Sequence, residues 1–266
     1  MRNVVAIAKK ELNIYFTTPI AYAMFTVMTF IASYFFIAFV QEFLNTSMMA
    51  MQMPQYMDSN RLNLTDAVVA PLIFNCGIIL VFVIPFLSMR LVSEEKRQKT
   101  FELLMTAPIR PGEIVLGKYL GGMAIVAVTI LLVMAYPLVL QLFAGSSGTG
   151  GTGGIEWQTA FAGYLGLFLW AAAAMAIGLF ISSLTESQVV AAIITFVVLL
   201  LLWIVSWMAQ RTDGVGRDIL MFMSASQHLI SFVRGVFELK DAAYYLSVIV
   251  MGLFLTHRAV EAQRWS

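Results

Sequence analysis

The sequence predicts an all-α integral membrane protein with six transmembrane helices, and three observations carry that prediction. Sixty per cent of the 266 residues are hydrophobic and only 12% are charged, with a mean hydropathy of +0.85, a balance outside that of soluble domains. The apolar residues gather into runs of about 20, the number that crosses a hydrocarbon layer about 30 Å thick at 1.5 Å per residue. The charged residues fall between the long runs rather than within them. A net charge of +1 offers no clustered basic surface for nucleic acid.

Residues 1–17 make the first element. Val4, Ala8, Leu12 and Tyr15 recur at helical spacing, while Asn3, Lys9, Lys10 and Asn13 fall elsewhere on the wheel. This predicts an interfacial amphipathic helix along the inner leaflet, its lysines facing acidic headgroups. Arg2, Lys9 and Lys10 ahead of an apolar run also resemble a signal peptide. However, the run 20–40 exceeds an h-region of about 7 to 15 residues, and no small-residue cleavage site follows it. It is read as a retained first span.

Further spans are predicted at 67–89, 119–143, 159–181 and 189–209. A sixth, 242–256, is about 22 Å long as a helix and would need little tilt or a thinned bilayer. Between the third and fourth spans, GSSGTGGTGG at 145–154 is a flexible tether by composition. In the segment 211–241, the short apolar stretches 219–223 and 229–237 lie on either side of Ser224 to His228. Each is too short to span, which predicts a pair of interfacial or re-entrant helices roofing the outer end. With both termini inside, eleven Lys and Arg fall on the cytoplasmic side and five outside: Arg61, Arg211, Arg217, Arg234 and Lys240. That bias is the one expected for cytoplasmic termini.

Several chemistries are disfavoured by what the spans lack. An ion-gradient transporter, a proton pump or a voltage sensor needs ionisable groups inside the membrane, and the five long runs contain no Asp, Glu, Lys, Arg or His. An intramembrane protease needs paired His with a carboxylate, or a base near a Ser, whereas His228 and His257 are placed on opposite sides of the membrane. Cys76 stands alone in an apolar run and reads as an inert small hydrophobe. Met48, Met49, Met51, Met53 and Met57 crowd the first outer loop, and thioethers suit Cu(I). With 17 Met along the chain, they read instead as ordinary apolar filler, and no metal or cofactor site is assigned.

One near-match to a nucleotide loop remains. Gly112 to Lys118 has the spacing G-x-x-x-x-G-K, but Tyr119 stands where the Mg²⁺-binding Ser or Thr belongs. A following helix that enters the membrane cannot present its N-terminus to phosphates in water. The stretch is read as the return path to the third span, with Lys118 at the inner headgroup boundary.

The strongly charged block runs from Ser93 to Tyr119. Ser93 is placed to cap a helix whose first turn holds Glu94 and Glu95, favourable at the positive end of the dipole, and Pro108 ends it. Phe101, Leu104 and Met105 would share one face of this short cytoplasmic helix. An exposed apolar face flanked by charge is a docking surface.

This block resembles the permeases of the ABC type-2 transporter family. The matching residues are Glu94, Glu95, Lys96 and Arg97, then Thr100, Phe101, Glu102, Leu103 and Leu104, then Thr106 to Pro108 and Glu113 to Lys118. The turn Ser182 to Gln188 is also similar, as are Ser231 to Val236, Asp241 and Tyr244 to Leu246. The likeness covers the chain nearly end to end and is nearest to gliding-motility and nitrous-oxide-reductase-maturation permeases. Lys99 departs from it, since relatives often carry Gly before the Thr.

The resemblance implies a single transmembrane domain without catalytic residues. Residues 94–107, with Met105 among them and Pro108 at the end, would form a coupling helix, with Thr185 and Glu186 as a smaller second contact. ATP and Mg would reside in a separate cytoplasmic ATPase subunit. A second permease copy or a homologous permease would complete the assembly in the bacterial inner membrane. The leading expectation is an ATP-driven exporter; the alternative is an ATPase-driven scaffold acting on a periplasmic partner.

Overall fold

The computed structural model describes residues 2–52, 63–100, 109–144, 154–211 and 213–263. All regular structure among them is helical. Six helices are long and apolar enough to cross a membrane, as the hydropathy pattern predicts. The glycine-rich stretch 145–153, the charged-block residues 101–108, and Met53 and Met57 lie outside the described residues, so expectations resting on them are neither met nor contradicted.

Helix α1 (Arg2–Thr17) is followed, after one residue, by α2 (Pro19–Gln52), with Pro19 at the start, where its missing N–H costs nothing. A π turn (Thr65–Val69) leads into α3 (Ala70–Ser88), and then comes the five-residue α4 (Ser93–Arg97). Next are α5 (Pro111–Ala144), α6 (Trp157–Leu184) and α7 (Gln188–Ala209). The short α8 (Val215–Met223) and α9 (Ala225–Val233) precede α10 (Leu239–Ala262).

Helix α6 is the hub, packed against α3, α5, α7, α9 and α10. Its stretch from Trp170 to Ala176 is buried throughout, because a run of alanines lets neighbouring backbones approach where lipid supplies no hydrophobic drive between helices. Buried polar groups join the spans at a few points: Trp170 Nε1 donates to the Gly77 carbonyl at 3.2 Å, and the Tyr136 hydroxyl to that of Thr29 at 2.8 Å. Both termini reach the same end of the bundle, where Gln263 of the C-terminal segment donates to the Ser183 carbonyl at 3.4 Å.

Two expectations change here. The last helix has 24 residues, about 36 Å, and crosses without a thinned bilayer. Lys240 and Asp241 at one end and His257 and Arg258 at the other are helical, although their charge ends the apolar run. Helix α5 likewise begins at Pro111, so Lys118 lies two turns inside it. The two short helices are present but unequal. Helix α9 is inserted against α3, α6 and α7, with Leu229 and Phe232 buried, whereas α8 has no buried residue.

Candidate functional site

The site is built at the bundle end that carries both termini, from α1, α4, the start of α5 and the α6–α7 turn. Helix α1 lies on α5 because Gly117 and Gly121, four apart, leave a groove on α5. A Cβ on Gly117 would stand 2.7 Å from the Ile7 Cβ, and one on Gly121 would stand 2.6 Å from the Glu11 Cβ. These glycines therefore serve contact within the chain; Gly122 faces Met175 of α6 instead.

The buried stripe of α1 is Ile7, Glu11 and Tyr15, one position around from the predicted stripe of Val4, Ala8, Leu12 and Tyr15. Lys9 and Lys10 are on the exposed side, as expected. The rotation puts a carboxylate into the interface. Glu11 accepts from Lys118 Nζ at 2.7 Å, and the same ammonium lies 2.9 Å from Glu95 Oε1. Lys118 is therefore buried between two carboxylates. Glu95 Oε1 is also 3.0 Å from Lys10 Nζ. Burial lowers the Lys10 pKa, but the hydrogen bond and charge of Glu95, with Glu11 adding, hold it above its ordinary value.

Neighbouring bonds complete the joint. The Tyr15 hydroxyl donates to the Leu87 carbonyl at 2.6 Å, tying α1 to the end of α3. Asn3 donates to Glu113 at 3.1 Å. Arg90 pairs with Glu94 at 2.7 Å. Between α1 and α4 lies a cleft of about 370 Å³, bordered by Lys10, Glu11, Arg90, Glu94, Glu95 and Lys118.

Helix α4 is not capped by Ser93, which is already helical and gives its hydroxyl to the Met89 carbonyl. The cap comes from α6: Ser182 Oγ accepts from the backbone N–H of Val92 at 3.2 Å and of Ser93 at 3.1 Å. Lys96 Nζ donates to the Ser183 carbonyl. The α6–α7 turn, with Thr185 extended at the end of α6 and Glu186 exposed, is thereby fixed beside α4.

The helix expected over 94–107 does not run on unbroken, because α4 ends at Arg97. Lys99 has φ +56°, its N–H bonds the Lys96 carbonyl and the Thr100 N–H bonds the Glu95 carbonyl, each at 3.0 Å. This is the Schellman closure, whose left-handed residue is usually Gly, and Lys99 occupies that position here. Arg97 and Thr100 are exposed. Phe101, Glu102, Leu103, Leu104, Met105 and Pro108 lie outside the described residues.

Thus Glu94, Glu95 and Lys96 are brought together with the Thr185–Glu186 turn. Sequence reasoning missed Glu11, Tyr15 and Ser182 as parts of the joint. The available signal was Gly117-x-x-x-Gly121 opposite a lone carboxylate among lysines.

A family model described as ABC-2 family transporter protein matches residues 5–212. The chain belongs to the ABC-2 transporter family. No curated protein matches it. The matched region runs from within α1 through α7 and contains every residue of the joint just described except Asn3. An ABC-2 permease is a multi-pass membrane subunit of an ABC transporter.

Proposed function

We propose that the chain is the permease subunit of an ATP-driven exporter in the bacterial cytoplasmic membrane, with both termini inside. It holds a separate ATPase subunit at the bundle end that carries α1 and α4. The observation that carries this reading is the joint of Glu11, Lys118 and Glu95, which fastens the charged block to an interfacial helix and a span. A movement imposed on α4 from the cytoplasm thereby reaches α5 directly.

ATP and Mg²⁺ belong to the partner, and two permeases, identical or homologous, carry two ATPases. The excess of Lys and Arg at this end supports its cytoplasmic placement. The uncharged runs fit a machine whose driving energy arrives from outside the chain.

Purification in mild detergent with mass spectrometry of the accompanying chains tests the assignment. An ABC-type ATPase is expected, and its absence under conditions that keep other membrane complexes intact would refute the reading. Export requires in addition that ATP turnover by the reconstituted complex rise with substrate.

A further inference from the structure

The ion network has a rigid part and a part built to exchange. Glu11 and Lys118 are the rigid part, with side chains 7% and 2% exposed, on helices locked together at Gly117 and Gly121. Glu95 and Lys10 differ, with side chains 14% and 55% exposed. One oxygen, Glu95 Oε1, stands 2.9 Å from Lys118 Nζ and 3.0 Å from Lys10 Nζ. Its other oxygen, Oε2, is buried without a hydrogen-bond partner among the described residues. A carboxylate shared by two ammonium groups passes from one to the other without crossing an unpaired state, so exchange avoids the desolvation cost that opposes breaking a buried pair.

Helix α4, which carries Glu95, is the shortest element of the joint. It has five residues, is followed by the left-handed Lys99, and is held besides by Ser182 and Ser183 of α6 and by Arg90 through Glu94. Of the remaining charged groups at the cleft, Arg90 pairs with Glu94 through Nε and Nη2, and its Nη1 is buried without a hydrogen-bond partner among the described residues.

We propose that Glu95 is a positioning residue that acts as a latch. It holds α4 to the fixed Glu11–Lys118 pair in the arrangement seen here, and it transfers to Lys10 when the docked ATPase displaces α4. The latch rests on the docking function proposed above and adds to it the residue through which displacement is gated. Lys10, at the surface of the interfacial helix, is the receiving group.

The test uses the intact permease–ATPase complex, comparing wild type with Glu95→Gln, Glu95→Asp and Lys10→Met. The readouts are ATPase recovered per permease, thermal melting, and kcat and KM for ATP. Glu95→Gln is expected to keep ATPase recovery and KM while lowering kcat per bound ATPase at least ~5-fold, the scale of an ordinary coupling energy. Glu95→Asp should restore part of that loss, and Lys10→Met should lower kcat without lowering the melting temperature. If Glu95→Gln instead lowers melting and recovery together while kcat per bound ATPase stays at the wild-type value, Glu95 is structural and the latch is refuted. If the wild-type chain recovers no ATPase, the docking reading fails and the latch with it. Normal recovery with unchanged kcat in both Glu95→Gln and Lys10→Met overturns the latch alone.

Discussion

Each end of the bundle buries a carboxylate against a nitrogen-bearing side chain, and the two pairs are built differently. At the end opposite the termini, His228 Nδ1 lies 2.7 Å from Asp241 Oδ1, and the pair is 13 residues apart in sequence. Nε2 lies 2.9 Å from the Phe222 carbonyl, and Tyr244 stacks on the ring at 4.1 Å. Tyr245 adds a hydroxyl bond to the Ala225 carbonyl at 2.8 Å. This pair ties α8, α9 and α10 to one another, closing a local roof. At the terminal end, Lys118 meets Glu11 across 107 residues of sequence and joins three elements that the family match includes. A local pair fixes one corner, whereas a long-range pair joins elements distant in the chain.

The comparison is broken most severely at Lys118. Lys118→Met leaves Glu11 buried without its counter-charge, and a loss of about 3–5 kcal/mol is expected from thermal or denaturant unfolding in detergent. Combining it with Glu11→Gln should recover part of that loss, and full additivity of the two would contradict direct pairing.

Asp241→Asn comes next, at about 1.5–3 kcal/mol for a hydrogen bond to a charged group. It should lower melting without altering ATPase recovery, because the roof lies far from the joint. Gly121→Ala presses a Cβ against Glu11 and should cost about 1–3 kcal/mol; melting at the wild-type value would show that α1 moves aside freely. The smallest effect is a gain: Lys99→Gly relieves a left-handed side chain and should stabilise the turn by about 1 kcal/mol. An unchanged or lower melting temperature would contradict the Schellman closure.

The spans were legible because lipid demands a continuous apolar run, and chain order needs no further information to reveal one. Less was legible wherever a residue's role depends on a partner distant in sequence. Ser93 has the composition of a cap, but it already lies inside the helix, and the N–H groups of Val92 and Ser93 at the helix start are bound by Ser182 of a distant span. The α1 stripe of Val4, Ala8 and Leu12 is consistent with helical spacing, yet Gly117 and Gly121 draw Ile7 and Glu11 inward instead. Lys118 gives no sign in the sequence of its two carboxylate partners, one of which lies 107 residues away. The sixth span looked short because charge at its ends hides helical continuity. For Lys99 the sequence alone does not show the left-handed backbone that the turn adopts.

The central claim is that the end carrying α1 and α4 docks the ATPase through the charged block. It is tested most directly by the ratio of ABC-type ATPase to permease recovered in mild detergent from wild type, Leu104→Asp and Asp241→Asn. Leu104→Asp places a charge on the apolar face that the sequence assigns to docking. The account predicts undiminished recovery with Asp241→Asn and loss with Leu104→Asp while the permease remains inserted. Equal recovery from all three would contradict it.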